Sequence, residues 1–133
     1  MRILVTGGAG YIGSLLCPVL LDAGHEVILL DSLMFGVQPI LHFITHPALE
    51  VVHGDVRDPR IVTPLTARAD AVLHLAAIVG DPACARDPEA ARAINEGGSL
   101  RLIQAARTAG VRRLVFASTC SNYGRMSDTT VLA

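Results

Sequence analysis

The stretch VTGGAGYIGS, residues 5–14, decides the fold. It grows out of the apolar run RILVT (2–6), whose β-branched and leucine content suits a buried strand. Gly7, Gly10 and Gly13 then follow at Gly-x-x-Gly-x-x-Gly spacing, and a helical pattern runs from about residue 11 to 23. Gly24 supplies the left-handed residue that commonly ends a helix. Strand, glycine turn and helix in that order begin a βα unit.

The rest of the chain repeats the alternation. EVILLD (26–31), LEVVHG (49–54), DAVLHLAA (70–77) and RRLVFAS (112–118) are four further strand candidates. They are nearly continuous in apolar character, as parallel strands covered on both faces are. Asp58-Pro59 and Asp87-Pro88 each place a capping residue before a first-turn proline, so helices are expected to start there. The second should run to about Ala109 and stop at Gly110. Gly97 and Gly98 inside it each cost roughly 1 kcal/mol relative to Ala, so close packing against a neighbour is the expected compensation. Segment 33–48 is expected to hold a short helix between loops. The sum is an α/β fold, a doubly wound (Rossmann) parallel sheet of about five strands with helices on both faces and right-handed crossovers. Its ligand crevice should open at the carboxyl ends of the first and fourth strands, where strand order reverses.

Composition bounds the function. One domain fits 133 residues, and a net charge of −1 gives no electrostatic footprint for nucleic acid or an anionic membrane. No apolar run approaches a membrane span, and the N-terminus has too short an apolar stretch for a signal peptide. Cys17, Cys84 and Cys120 form no CxxC, so neither a disulfide framework nor a zinc site is expected and the cytoplasm is the default compartment. All 11 basic residues are Arg, and 51% of the chain is hydrophobic. So apolar a surface expects cover from another segment or subunit, which predicts a homo-oligomer.

A glycine turn between a strand and a helix has a specific use. Gly7 permits the tight turn, Gly10 lets backbone N–H groups approach a pyrophosphate, and Gly13 allows close helix–strand packing. Asp31 ends the second strand 18 residues beyond Gly13, where a carboxylate accepts both ribose hydroxyls of NAD and repels the 2′-phosphate of NADP. No Arg or Lys lies between Arg2 and Arg57 to neutralise that phosphate, so NAD is the expected cofactor. After the third strand, Asp55 can accept from the adenine amino group while Val56 packs on the ring. An Asx turn at Asp55 explains the same residue equally well.

TGGAGYIGS, LLD ending at Asp31, GDVRD (54–58), HLAA (74–77), INEGGS (94–99) and FASTCSNYG (116–124) occur in an order and spacing that resemble the NAD-dependent epimerase/dehydratase family of the extended short-chain dehydrogenase/reductase superfamily. The resemblance covers essentially the whole chain. It implies that Gly7, Gly10, Tyr11, Ile12 and Gly13 hold the pyrophosphate, Asp31 and Ser32 the ribose, and Asp55 and Val56 the adenine. It further implies that Leu75, Ala76 and Ala77 line the cleft and that Asn95 is a structural or cleft hydrogen-bonding residue. Thr119 matches the family's Ser/Thr four residues before Tyr123-Gly124, the hydroxyl that bonds the substrate oxygen undergoing oxidation. A hydroxyl at the end of a central strand would point into the crevice, so the residue itself suits that catalytic role.

Two departures matter. Cys120 and Ser121 stand where the sugar 4,6-dehydratases have an Asp-Glu pair, which disfavours dehydration and favours epimerisation or simple oxidation and reduction. The family's Tyr-x-x-x-Lys base is not in this sequence: Tyr11 and Tyr123 are followed by Leu15 and Ser127, and there is no Lys. The chain is therefore expected to be an NAD-binding domain, residues 1–133, truncated before its substrate-binding region, from an enzyme acting on nucleotide sugars. Two alternatives stay open, a non-catalytic dinucleotide-binding module and a reductase of non-sugar substrates.

Other residues are assigned plainer roles. His42 and His46 are expected on the surface, His74 in the core with a backbone partner, and Cys17 in core packing. Cys84 is expected in the loop after the fourth strand, near the nicotinamide end. His25 and His53 are taken as solvated.

Overall fold

A computed structural model of the protein describes residues 1–119, the side chain of Asp81 excepted. Strands β1 (Arg2–Thr6), β2 (Glu26–Asp31), β3 (Leu49–His53), β4 (Ala71–His74) and β5 (Arg113–Phe116) form one parallel sheet in the order β3-β2-β1-β4-β5. The order reverses between β1 and β4, so the crevice expected at their carboxyl ends is there.

Apolar runs occupy these strands because both faces are covered. Ile3 and Val5 of β1 join Val27 and Leu29 of β2 on one face, where helix α1 (Tyr11–Asp22) packs through Cys17 and Leu21. Leu4, Ile28, Leu30 and Val72 point to the other face. There they meet Val62 and Leu65 of α2 (Pro59–Thr66) and Leu102 and Ala106 of α5 (Ser99–Thr108). Each fully buried aliphatic side chain contributes about 1.5–3 kcal/mol.

Both Asp-Pro starts are observed. Asp58 caps α2 by accepting the Arg60 N–H, and Asp87 caps α4 (Pro88–Arg92) by accepting the Ala90 N–H. The expected single helix from 87 to 109 is interrupted, however. A π-helical segment, Ala93–Gly98, connects α4 to α5. Gly98 meets the expected close packing, since a Cβ there would lie 2.7 Å from Val56 Cγ2, whereas Gly97 has open space around it. On its inner side, α5 is covered by α2. Its outer side exposes Leu100 and Ile103.

Segment 33–48 holds the expected short helix between loops, a single 3-10 turn at Gln38–Ile40. Two other expectations need adjustment. A helix α3 (Asp81–Arg86) occupies what was expected to be loop, and it carries Cys84. β4 stops at His74 rather than 77: the Leu75 N–H makes a last bond to the Thr6 carbonyl at 2.9 Å, and Leu75–Ala77 wall the crevice. Among the described residues no helix is long and apolar enough to cross a membrane.

Candidate functional site

The crevice starts with the glycine turn. Gly7 has φ +73°, and a Cβ on it would sit 2.6 Å from the backbone nitrogen of Ala76, so the turn passes against the start of the β4 exit. Gly10 has extended backbone and caps α1, its own N–H being spent on the Gly7 carbonyl at 3.1 Å. The donors directed outward are therefore those of the first helical turn beyond it. A Cβ on Gly13 would lie 2.5 Å from Gly8 Cα and 2.6 Å from Gly7 O. The close approach at Gly13 is thus between α1 and the turn itself, not between α1 and the strand as expected.

Asp31 is built into this turn. Its Oδ2 accepts the Ala9 N–H at 3.0 Å and its Oδ1 accepts the Leu33 N–H at 2.8 Å. Leu33 has φ +53°, and among the described residues it is the non-glycine with positive φ. A carboxylate offers about four acceptor positions, so two remain for a ligand. Ser32 lies beside it, its carbonyl 3.0 Å from His53 Nε2, so exposed His53 has a partner.

Asp55 makes the Asx turn: its Oδ1 accepts the Arg57 N–H at 2.8 Å. Arg57 also grips the carboxylate through Nε and Nη2, at 3.0 and 2.6 Å. That hydrogen bonding holds the Asp55 carboxyl below its ordinary pKa despite partial burial. Gly7, Gly10, Asp31, Ser32, Asp55, Val56, Leu75, Ala76 and Ala77 line one chamber, together with Phe35 and Ile94 among others. Val56 itself is buried.

Leu75, Ala76 and Ala77 also line a second chamber of about 310 Å³, so the two share a wall. Around the second chamber stand Asn95, Cys84, Phe116 and Thr119. Asn95 Oδ1 accepts the Ile78 N–H at 2.8 Å and its Nδ2 donates to the Ile78 carbonyl at 2.7 Å. Cys84 Sγ lies 3.4 Å from the same carbonyl. His74, only 1% exposed, has hydroxyl partners and not the expected backbone one. Its Nδ1 is 2.6 Å from Thr6 Oγ1 and its Nε2 2.8 Å from Ser99 Oγ. Burial pushes its pKa below the ordinary histidine value.

Most of the singled-out residues thus meet in one crevice. Tyr11, Ile12 and Gly13 do not: Tyr11 and Ile12 are 87% and 56% exposed on the first turn of α1, Gly13 packs against Gly7 and Gly8, and all three line neither chamber. Thr6 and Ser99 were missed, since nothing in residues 68 and 25 positions away from His74 signals contact in sequence. Among the described residues, no three His, Cys, Asp or Glu side chains group as metal ligands. Cys120, Ser121, Tyr123, Gly124 and Ser127 lie outside the described residues.

A family model for the NAD dependent epimerase/dehydratase family matches residues 3–132. The chain belongs to this family. Its cofactor class, NAD, is the one the glycine turn and Asp31 predict. A UDP-glucose 4-epimerase from Klebsiella pneumoniae is 34% identical over 129 residues, 93% of this chain and 93% of that sequence. Another from Streptomyces lividans is 37% identical, and the match covers 98% of this chain but only 40% of that one. The UDP-glucose-4-epimerase structure from Stenotrophomonas maltophila, with bound NAD and formylated UDP-arabinopyranose, has 38% identity and TM-score 0.86. That match covers 98% of this chain and 40% of the other. A dTDP-glucose 4,6-dehydratase from Streptomyces venezuelae, solved with NAD as a double mutant, has 34% identity and TM-score 0.90, covering 98% and 43%.

Proposed function

We propose that the chain is the NAD-binding part of a nucleotide-sugar epimerase or a related oxidoreductase. The observation that carries this reading is the shared wall Leu75–Ala77, which joins the Gly7–Asp31–Asp55 chamber to the Thr119 chamber. A dinucleotide laid along it has its adenosine end at Asp31, Ser32, Asp55 and Val56. Its pyrophosphate meets the amides of the first turn of α1, with Gly7, Gly10 and Gly13 keeping side chains out of the way and the helix dipole adding attraction. Tyr11 and Ile12 act there through their backbone N–H groups, since their side chains face outward. Bound NAD supplies a hydride acceptor for a sugar carbon. Thr119 hydrogen-bonds the substrate hydroxyl and helps its proton leave. The small side chains of Ala76 and Ala77 admit the cofactor, and Asn95 keeps the wall in register through Ile78.

Cys120 and Ser121, in place of the dehydratases' Asp-Glu pair, favour epimerisation or oxidation and reduction over loss of water. Titration of the chain with NAD and NADP tests the cofactor assignment: NAD should bind at least tenfold more tightly, and equal affinities would overturn it. A nucleotide-sugar hydride-transfer assay tests the chemistry.

A further inference from the structure

The hydroxyls around His74 determine where its proton is. Ser99 Oγ lies 2.5 Å from the Asn95 carbonyl oxygen, which can only accept. The one hydroxyl proton of Ser99 is therefore committed to Asn95. Ser99 Oγ must then accept from His74, so Nε2 carries the ring proton. The Ser99 backbone N–H goes to the Glu96 carbonyl, so it does not compete with the hydroxyl for Asn95. On the other side of the ring, Nδ1 of the neutral imidazole accepts from the Thr6 hydroxyl. The hydrogen bonds run one way, from Thr6 through His74 and Ser99 to Asn95.

The position of this chain is what gives it consequence. Thr6 immediately precedes Gly7, and His74 immediately precedes Leu75. Thr6, His74 and Phe116 share one register row across β1, β4 and β5, and the His74 and Phe116 rings are 5.6 Å apart. At its far end, Asn95 grips both backbone groups of Ile78. We propose that His74 is a positioning residue of the cleft, held as the Nε2–H tautomer, which ties the glycine turn to Asn95 and so sets the wall Leu75–Ile78 beneath the dinucleotide. The identity of the ligand rests on the NAD reading above; the hydrogen-bond chain does not.

The test is NMR on the 133-residue chain labelled with 15N-histidine, with His74 assigned through its contact to Phe116. The expected spectrum at neutral pH shows His74 protonated at Nε2 with an unprotonated Nδ1, and a slowly exchanging Nε2 proton. An Nδ1–H tautomer or a rapid mixture would overturn the proposal. Ser99→Ala should mix the tautomers, lower exchange protection of the Ile78 amide at least tenfold, and weaken NAD binding about five- to tenfold. Ser99→Thr, which keeps the hydroxyl, should restore all three. A folded Ser99→Ala protein with unchanged Ile78 protection would also overturn it. Failure of the unsubstituted chain to bind NAD would sink the cofactor reading instead, while the tautomer and Ile78 protection would still decide the role of His74.

Discussion

The Asp31 carboxylate accepts the Ala9 amide at 3.0 Å, so one hydrogen bond ties the end of the second strand to the glycine turn. Its other oxygen holds Leu33 in the left-handed region at φ +53°. One side chain therefore shapes this end of the crevice.

Replacing that side chain should uncouple the two elements. Asp31→Ala is expected to weaken NAD binding by tenfold or more, about 1.4 kcal/mol for each factor of ten. It should also narrow the gap between NAD and NADP. Calorimetric titration with both nucleotides checks this, and an unchanged ratio would show that Asp31 does not select.

Gly7 and Gly24 separate backbone strain from crowding. Both have positive φ, +73° and +77°, but only Gly7 faces a neighbour, with an added Cβ 2.6 Å from Ala76 N. Gly7→Ala should cost roughly 2–4 kcal/mol from strain and overpacking together. Gly24→Ala should cost only about 1 kcal/mol. Urea unfolding of the two variants gives the comparison directly.

Acid should weaken the fold through His74. Its partners Thr6, Ser99 and Phe116, on three different elements, are uncharged, and burial lowers its folded pKa below the unfolded value near 6.5. Between those two values the unfolded chain binds the extra proton, so stability falls as pH drops below about 6.5 and levels off under the folded pKa. The slope from this one group reaches at most about 1.4 kcal/mol per pH unit. His74→Gln should remove that slope from a plot of unfolding free energy against pH. A wild-type curve that is already flat between pH 5 and 7 would contradict the prediction.

Cys17 should be inert while the chain is folded. Burial pushes its thiol up to about 12, leaving almost no thiolate at pH 8. Alkylation with iodoacetamide followed by peptide mass spectrometry should find Cys17 unmodified until denaturant is added.

Exposed apolar side chains on the outer face of α5 and on β5 predict self-association. Leu100 is 61% exposed and Val115, on the edge strand, 56%. Sedimentation should show mass rising with concentration, and Leu100→Glu with Val115→Lys should suppress it. A monomer at all concentrations in the unsubstituted chain would contradict this.

Local chemistry made much of this protein legible in advance. Glycine spacing, strand runs covered on two faces and Asp-Pro caps depend on neighbours along the chain, so β1, α1, β2 and the starts of α2 and α4 could be named from residues 2–88. The family motifs likewise pointed to Asp31, Asp55, Asn95 and Thr119, all of which line the crevice, because their spacing is itself the signal. The π-helical segment and α3 were not legible, since helical pattern alone does not report a bond shifted by one residue or a six-residue turn held against the crevice. Tyr11 and Ile12 could be placed on the first turn but not turned outward, because a side chain's direction depends on how α1 rolls against the sheet.

Sequence therefore located the five strands, α1, the starts of α2 and α4 and the glycine turn, through interactions a few residues long. Tertiary packing alone decided that Thr6, His74 and Ser99 touch. It brings together two strands and a helix, His74 lying 68 residues from Thr6 and 25 from Ser99, in a buried cluster where each hydroxyl and ring nitrogen must find a partner.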